Sequence, residues 1–365
     1  MADARTAAGF SQAQLAERVR LNRSALSRIE TGERSLDVLE LSRIAEALGR
    51  SVEWFIIEPP EILASHRRLP DAEEGQDARL LEDRLDAVAR HVELLQQINA
   101  LGPTELGPGT LEGERLDDFD DAESLARRAR GLVGHPTDPV RELQIWVQEF
   151  GLYAYSFDLG SDVIDGGYVR VGTSGVSVLN GATESGRRRF TLAHELGHHL
   201  LGDEYSADFA IGQTREERES LLNAFAIHLL MPRDGAVPRF EELQREHSLR
   251  SALIILAAEF MVSWSAACNQ ARNLGLIDAQ THTTLSGRRP TYADYVELQA
   301  RWSEELEPMA IPPAIGTAAL RAYRLQRIGA GRAVELLWNT LDREDLPPVS
   351  DISIHALRSD FESIA

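Results

Sequence analysis

The sequence contains no lysine, one cysteine and no long apolar run among its 365 residues. A single cysteine, Cys268, excludes an intramolecular disulfide, and the helix-like apolar positions around it predict a buried, inert thiol. Without a long apolar segment, or a charged stretch followed by an apolar one at the N-terminus, we expect no membrane partner and a cytoplasmic location. All 38 basic residues are arginine, which we attribute to the base composition of the coding sequence rather than to function.

Positive charge is outweighed by negative charge: 38 basic residues stand against 58 acidic ones, and the net charge is −20. Such a balance disfavours nucleic-acid binding, because affinity for DNA depends on neutralising phosphates. The charge is uneven, since residues 1–60 hold eight arginines and nine acidic residues, a net charge of −1. An N-terminal segment can therefore still bind DNA, and the length with 43% hydrophobic content predicts two domains with cores of their own, joined by linkers.

A metal-binding motif lies in the run RRRFTLAHELGHHLL. His194 and His198 are four residues apart, so on a helix both imidazoles face the same side and can hold one metal ion. Glu195 would project beside the metal, where a carboxylate can take a proton from water, and we interpret it as the general base. Apolar residues surround the motif, which predicts a mostly buried helix whose charged groups need a partner such as metal.

A third ligand is expected on a second helix, because a catalytic zinc site has three protein ligands and one open position. Glu219, in the run ERESLLNAFAIHLLMP, is the predicted ligand because an apolar helix face begins beside it. Asn223 follows at i+4 and is predicted to hydrogen-bond the outer nitrogen of a ligand histidine. Glu216 and Glu217 remain alternative ligands, although acids in the first turn after Thr214 also stabilise a helix N-terminus.

Four further polar residues near the motif are not included in the predicted metal site. His199 and His228 are interpreted as structural, since a lone histidine near a core is more often hydrogen-bonded there than bound to metal. Tyr168 and Tyr205 could stabilise an oxyanion, but half-buried packing is the more frequent role of such a tyrosine.

Four stretches follow one another in the order of a known family: DPVRELQIWVQEFGLYAYSF, VSVLNGATESGRRRFTLAHELGHHLL, ERESLLNAFAIHLLMPRD and LAAEFMVSWSAACNQARNLGLID. They make residues 120–280 similar to an ImmA/IrrE-type metallopeptidase domain. The resemblance implies a minimal zincin core and a metal-dependent endopeptidase that cleaves a transcriptional repressor or an antitoxin-like partner, in stress response or mobile-element control. It places His194, His198 and Glu219 at the ligand positions and Glu195 at the base; Leu222 departs from the alanine common in the family. The ligand types suit zinc or manganese.

The N-terminal run FSQAQLAERVRLNRSALSRIETGERSLDVLELSRIAEALG predicts three short helices. They extend from an N-cap at Ser11 to about Val19, from an N-cap at Asn22 to Glu30, and from about Ser35 to Leu48. Together they form a helix-turn-helix with a supporting helix. The predicted core consists of Leu15, Ala16, Val19, Leu21, Leu26, Ile29, Leu39, Leu41, Ile44, Ala45 and Leu48.

Within this run, SQAQLAERV, SALSRIETG and IAEALG resemble the XRE/Cro-type DNA-binding domain. The resemblance implies binding of a double-stranded DNA operator as a dimer, with a recognition helix from Arg23 to Glu30. The residues predicted to contact bases or phosphates are Gln12, Arg23, Ser24, Ser27 and Arg28. Only ten residues precede Ser11, so we expect the first helix of this module to be truncated. A helical bundle used only for protein docking remains the alternative.

Residues 59–118 are predicted to be a linker, because the polar run EPPEILASHRRLPDAEEGQ begins it and the Gly/Pro-rich run GPTELGPGTLEGERLDDFDD ends it. A helix at 77–99 has three- and four-residue spacing along Ala78, Leu81, Leu85, Val88, Val92, Leu95 and Asn99. Two alternatives remain open: a coiled coil that makes the chain a homodimer, and an amphipathic helix laid on its own domain.

The chain as a whole is predicted to be α+β. Residues 1–58 form an all-α helix-turn-helix domain, 59–118 the linker, 119–284 the peptidase-like domain and 285–365 a C-terminal helical extension. LYAYSF, GYVRVG and SVLNG predict short strands of a small antiparallel sheet, and the strand nearest the site could pair an extended substrate by edge addition. Packing, partner recognition and self-inhibition are all open roles for the extension.

Two hypotheses of function follow, and one chain can satisfy both. The first is a metal-dependent endopeptidase, fused to a DNA-binding domain, that cuts a regulatory protein through water that the metal activates. The second is a helix-turn-helix transcriptional regulator whose peptidase-like domain senses or dimerises with little or no catalysis. A third class, an antitoxin-like or immunity protein that acts by binding alone, remains if the partner is a toxin.

Overall fold

The computed structural model describes residues 1–2, 5, 9–48, 52, 55, 65–68, 76–160, 164–202, 214–300 and 304–349. The chain divides into two compact units, Met1–Ile62 and Leu63–Ala365. The two are called unit 1 and unit 2 below.

The described residues of unit 1 include helices α1 (Gln12–Arg18), α2 (Arg23–Glu30) and α3 (Val38–Ala47). Ser11, Asn22 and Asp37 begin them, and each side chain accepts a hydrogen bond from the backbone N–H three residues ahead. Such caps satisfy N–H groups that have no partner inside the helix. The third helix therefore begins at the Asp37 cap, slightly later than predicted.

One face of each helix forms the core of unit 1. Leu39 was included in the predicted core, but this prediction is wrong, since 69% of Leu39 is exposed. It lies nine residues before Leu48, which places it on the opposite side of α3 from the buried Ile44 and Leu48. The fully packed residues of the core are Leu15, Ala16, Val19, Leu26, Ile44 and Leu48.

Unit 2 contains a four-stranded sheet in the order β1-β3-β4-β2. Its strands are β1 (Ser65–Arg68), β2 (Leu152–Phe157), β3 (Ile164–Val171) and β4 (Ser174–Asn180). β3 and β4 form a hairpin whose turn contains Gly172 at φ +58°, a left-handed conformation that glycine adopts at little cost.

The α+β class is confirmed, but the sheet is mixed rather than wholly antiparallel. β1 and β4 pair antiparallel with β3, whereas β2 pairs parallel with β4. β3 occupies one edge of β4 in the hairpin, so β2 pairs with the other edge. There β2 runs in the same direction as β4. The three predicted strands are present, and β1 is an additional strand within the predicted linker.

The described part of unit 2 has helices packed against this sheet and further helices packed against those. In chain order they are α4 (Gln76–Gln97), α5 (Phe119–Leu132), α6 (Leu143–Trp146), a 3-10 turn (Val147–Phe150), α7 (Ser185–Leu201), α8 (Arg215–Leu230), α9 (Arg233–Leu243), α10 (Leu249–Glu259), α11 (Trp264–Asn273), α12 (Ala279–Ser286), α13 (Tyr292–Glu297), α14 (Pro313–Arg324), α15 (Ala330–Leu336) and a 3-10 turn (Arg343–Asp345). α4 and α7 both pack against β3 and β4, and β4 is buried along its whole length. The sheet therefore lies between α4 and α7.

Helix α4 resolves the choice between a coiled coil and an amphipathic helix on its own domain. Five residues of its predicted seam have no exposed surface within unit 2, namely Leu81, Leu85, Val88, Val92 and Leu95, whereas Asn99 at its end is exposed. These side chains pack against the sheet, so α4 is an amphipathic helix of this unit and not an exposed dimerisation seam.

The Gly/Pro-rich stretch after α4 also packs on unit 2, which corrects its prediction as a flexible linker. Leu111 and Leu116 are buried in the main core. The amides of Gly109 and Leu111 donate to the carbonyls of His199 and Leu200, at 2.8 and 2.7 Å. These carbonyls lie in the last turn of α7, where most carbonyls lack an amide partner within the helix; the His199 carbonyl also accepts from the Gly202 amide, at 3.3 Å. The stretch therefore closes the end of α7.

The C-terminal part of the chain covers α4 and β2. α14 packs against α4 and α15, and the rings of Trp338 and Phe157 lie 4.6 Å apart between centroids. The guanidinium of Arg84 lies over both rings, at 5.2 Å from Phe157 and 5.1 Å from Trp338. Of the roles left open for this extension, the described residues show packing.

Among the described residues, no single helix has both the length and the apolarity to cross a membrane. α10 and α11 meet those criteria only as a pair, and they are bent by 110° at their junction.

Candidate metal centre

Helix α7 carries the HELGH pentad and is anchored at both ends. At its C-terminus, Gly202 adopts a left-handed conformation at φ +64°, the usual way to end a helix. At its N-terminus, the fully buried Arg189 donates to Glu305 Oε2 at 2.5 Å and to the Val140 carbonyl at 2.7 Å. Arg188 donates to the Glu305 carbonyl at 3.0 Å. The arginine run before the motif thus holds α7 in place, a role that sequence analysis missed.

The predicted ligands converge on one point. His194 Nε2 and His198 Nε2 lie 3.2 Å apart, and Glu219 Oε2 of α8 lies 3.2 Å from His194 Nε2. Glu219 Oε1 is 3.8 Å from His198 Nε2. All three donor atoms lie within 4.8 Å of one another, so the structure places two imidazoles and one carboxylate around a single site.

The alternative ligands lie apart from this group. Glu217 forms a capping box, because its carboxylate accepts from the Thr214 amide at 2.8 Å while its amide donates to the Thr214 hydroxyl at 3.2 Å. Glu216 is exposed in the same first turn. Among the described residues, Glu219 is the only acid of this helix that is grouped with the two histidines.

Asn223 lies behind His194, one helical turn after Glu219. The Nδ1–H of His194 donates to Asn223 Oδ1 at 3.1 Å. This bond orients the imidazole and leaves the Nε2 lone pair toward the site. Burial, with the neighbouring His194, lowers the pKa of His198 to about 3, so His198 is neutral at ordinary pH. Neutral imidazoles are the form that binds metal.

Glu195 is fully buried on α7, directly after His194 in the chain. The position fits a base that works inside the site.

His199 is a structural residue that joins α7 to the sheet. Its Nε2–H donates to the Phe150 carbonyl at 2.7 Å, and the Tyr168 hydroxyl donates to its Nδ1 at 3.0 Å. A Cβ on Gly175 would overlap both the His199 and Tyr168 rings, so β4 needs glycine there. The Tyr168 hydroxyl is thus engaged away from the site, and Tyr205 lies outside the described residues.

His228 also lies away from the metal centre. Its Nδ1 accepts from the Gln270 amide at 3.1 Å, and burial lowers its pKa. It lines a cleft of about 910 Å³ between α5, α7, α8 and α11, which Asn223 and Phe190 also line. Asn223 therefore separates this cleft from the metal ligands.

The predicted DNA contacts lie on unit 1. Arg23, Ser24 and Arg28 are exposed on α2, while Ser27 and Gln12 are half-buried. The Ser24 hydroxyl donates to Asn22 at 2.8 Å. The Gln12 amide donates to Glu30 at 2.7 Å, beside a salt bridge from Arg5 to Glu30. Arg23 and Arg28 are thus the exposed cations of the predicted recognition helix.

The donor set fits a resident divalent ion. Two imidazole nitrogens and one carboxylate oxygen are the ligands of many catalytic zinc sites. The hydrogen bond from His194 to Asn223 adds the outer support that such histidines usually have. His194, His198 and Glu219 are the residues that would hold the ion.

Two protein families match parts of the chain. The helix-turn-helix family matches residues 1–55, and the peptidase family described as the IrrE N-terminal-like domain matches residues 147–272. No curated protein and no solved structure shows a significant match. The second match includes β2, β3, β4, α7 and α8, and hence all three donor residues. Residues 1–55 therefore resemble an XRE-type helix-turn-helix domain and residues 147–272 an IrrE-like peptidase domain, which is the domain order of an ImmA/IrrE-type fusion.

Proposed function

We propose that this protein is a zinc-dependent endopeptidase that cleaves a regulatory protein and also binds an operator through unit 1. The observation that carries the proposal is the convergence of His194, His198 and Glu219 within 4.8 Å, next to the buried Glu195. Two imidazoles and a carboxylate leave an open position for water and substrate, as catalytic zinc sites require.

A bound zinc ion would polarise the scissile carbonyl and lower the pKa of water. Glu195 takes the proton from the attacking water and later delivers it to the leaving amine, as a general base and then a general acid. Asn223 holds His194 in the tautomer whose Nε2 lone pair faces the site. His199 and Tyr168 keep α7 at a constant distance from β3, so the base stays aligned with a peptide beside that strand.

The proposed substrate class comes from the resemblance to ImmA/IrrE-type metallopeptidases. It implies a repressor or an antitoxin-like regulator as the substrate, in stress response or mobile-element control, and the helix-turn-helix match at residues 1–55 is consistent with such a role. A cytoplasmic location is part of this proposal, since an operator-binding protein acts where the DNA is.

Metal content tests the ligand set directly. We expect about one equivalent of zinc in the wild type, with loss of the metal in both His194→Ala and Glu219→Ala, measured by elemental analysis on protein never exposed to chelator. The same measurement distinguishes zinc from manganese. The exposed Ser220, next to Glu219, provides a control, and Ser220→Ala should retain the metal. Metal retained without Glu219 would reject this ligand set.

Catalysis is tested by Glu195→Gln, which should keep the metal and lose proteolysis. Lysate proteins treated with wild type or variant are labelled at their new N-termini and identified by mass spectrometry. Cleavage sites found only with the wild type identify the substrate. Identical N-termini in both samples, with metal bound, would reject the endopeptidase.

A second candidate function is supported by the helix-turn-helix match at residues 1–55. The chain would then act as a transcriptional regulator whose peptidase-like domain senses a signal or dimerises, with little or no catalysis. Unchanged operator repression by Glu195→Gln in cells, together with no cleavage by the wild type, would favour this regulator.

A further inference from the structure

One face of α7 points toward β3. Its residues recur every fourth position and therefore lie nearly in line along the helix: Arg187, Thr191, Glu195 and His199. Arg187 forms a salt bridge with Asp165. The Thr191 methyl lies 3.2 Å from where a Cβ on Gly166 would stand, and His199 accepts from Tyr168 at 3.0 Å. Successive members of the row thus lie beside successive parts of β3.

This row gives the position of Glu195 along β3. Glu195 lies between Thr191 and His199, whose partners on β3 are Gly166 and Tyr168. The catalytic base is therefore level with the short segment of β3 that is centred on Gly167.

The metal ligands lie on one flank of the same row. His194 and His198 each precede a member of the row by one residue, which turns them about 100° to one side. Leu192 and Leu196 each follow a member and are turned about as far to the other side, where both are buried in the main core. The ligands therefore face away from those core leucines.

Strand β1 pairs with this same segment of β3. β4 occupies one edge of β3, and β1 occupies the other in antiparallel orientation, with Ser65 opposite Tyr168, His66 opposite Gly167 and Arg67 opposite Gly166. The ladder is irregular between Arg67 and Arg68. The backbone of His66 thus lies beside the part of β3 that is level with Glu195.

We propose that this edge of β3 is the peptide-binding surface of the metallopeptidase site and that residues 65–68 of the same chain occupy it as an internal substrate mimic. This inference rests on the proposed function and adds its regulation. A protein substrate must displace β1 before it can pair with β3.

An extended segment of this chain fits that surface for two reasons. Pairing along a strand edge uses main-chain hydrogen bonds and tolerates many side chains, so the polar sequence SHRR can bind there without apolar alternation. The segment also begins three residues after the boundary between the two units, Ile62 and Leu63. Its release would therefore leave the peptidase fold intact and lengthen the connection to unit 1.

The test compares two full-length variants, both in a Glu195→Gln background so that no peptide is cut. His66→Pro with Arg67→Pro removes two backbone N–H groups and disfavours the strand, whereas His66→Ala with Arg67→Ala keeps the backbone donors. A labelled synthetic peptide of residues 61–72 is titrated into each by fluorescence anisotropy. Because the internal segment competes at high effective concentration, we expect the proline variant to bind the peptide about tenfold more tightly than the alanine variant.

Hydrogen exchange gives an independent readout. Those amides of β3 in residues 164–168 that point to β1 should exchange about tenfold faster in the proline variant than in the alanine variant, since they lose their ladder partner, whereas those that point to β4 should change little. Replacing residues 65–68 by Gly-Ser-Gly-Ser repeats the test if proline disturbs folding. Equal exchange and equal peptide affinity in all variants would overturn the inference.

These readouts do not depend on turnover. If β1 does not occupy the β3 edge, the metal and cleavage tests of the proposed function still stand. If those tests fail, hydrogen exchange still shows whether β1 occupies the edge.

Discussion

Asn223 determines which nitrogen of His194 faces the metal site. Its Oδ1 accepts from His194 Nδ1–H at 3.1 Å, so an acceptor at this position favours the tautomer with a free Nε2 lone pair. Glu219, with 28% of its side chain exposed, is the most accessible of the three predicted ligands.

We expect Asn223→Ala to weaken zinc binding by about 10- to 100-fold, because the imidazole loses its outer partner. Asn223→Asp should restore most of the affinity, since a carboxylate also accepts from Nδ1–H. Affinities are measured by competition with a chromogenic chelator, and Ser220→Ala serves as the control on the same helix. If alanine binds zinc as tightly as the wild type, Asn223 has no part in ligand orientation.

At the scale of elements, α4 and the C-terminal segment share a buried histidine. His91 lies in α4, with its ring 5.4 Å from that of Trp338. Burial, with Arg332 nearby, lowers the pKa of His91 to about 3, and burial likewise lowers the pKa of His199 to about 4. Both side chains are therefore neutral in the folded chain at pH values at which they would be protonated in the unfolded chain.

This difference predicts acid sensitivity. Between the unfolded pKa near 6.5 and the folded value, the unfolded chain binds more protons, so the free energy of unfolding falls as pH decreases. Each histidine should remove about 2 kcal/mol between pH 6.5 and pH 5. His91→Phe should therefore remove about 2 kcal/mol of the loss between these pH values, measured by urea unfolding at fixed zinc concentration. The exposed His135 is the control, and a His91→Phe slope equal to that of His135→Gln would contradict the prediction.

Local patterns predicted those elements whose partners are near in sequence. The spacing of His194 and His198, the i+4 position of Asn223 and the three N-caps of unit 1 depend only on helix geometry, and the structure has each of these helices. The amphipathic pattern of α4 predicted the helix but could not name the surface that covers it. Only the sheet, brought together by distant residues, distinguishes an internal helix from a coiled coil.

The features that could not be predicted from the sequence depend on contacts between residues far apart in the chain. β1 has no apolar alternation, so nothing in SHRR indicates that β3 pairs with it. The stretch at Leu111 has the glycine and proline content of a linker, yet its amides are the partners of the last carbonyls of α7. The anchoring of Arg189 by Glu305 joins residues 116 positions apart.

At the scale of the whole molecule, charge is divided between the two units. Residues 1–60 carry a net charge of −1 and the whole chain −20, so residues 61–365 carry −19. DNA affinity must therefore come from the exposed arginines of unit 1. The acidic remainder of the chain cannot neutralise phosphates, so it should contribute little to the salt dependence of nonspecific binding.

Substitutions at Arg23 and Arg28 test whether α2 is the recognition helix. An operator is first selected from a random duplex pool with the full-length protein, and its affinity is then measured at several salt concentrations. Arg23→Ala and Arg28→Ala should each weaken binding by roughly tenfold, and an arginine that contacts phosphate should also reduce the salt slope by about 1. Arg321→Ala, an exposed change in unit 2, should leave both quantities unaltered. If neither α2 variant differs from Arg321→Ala, α2 is not the recognition helix, and unit 1 functions as a protein-docking module.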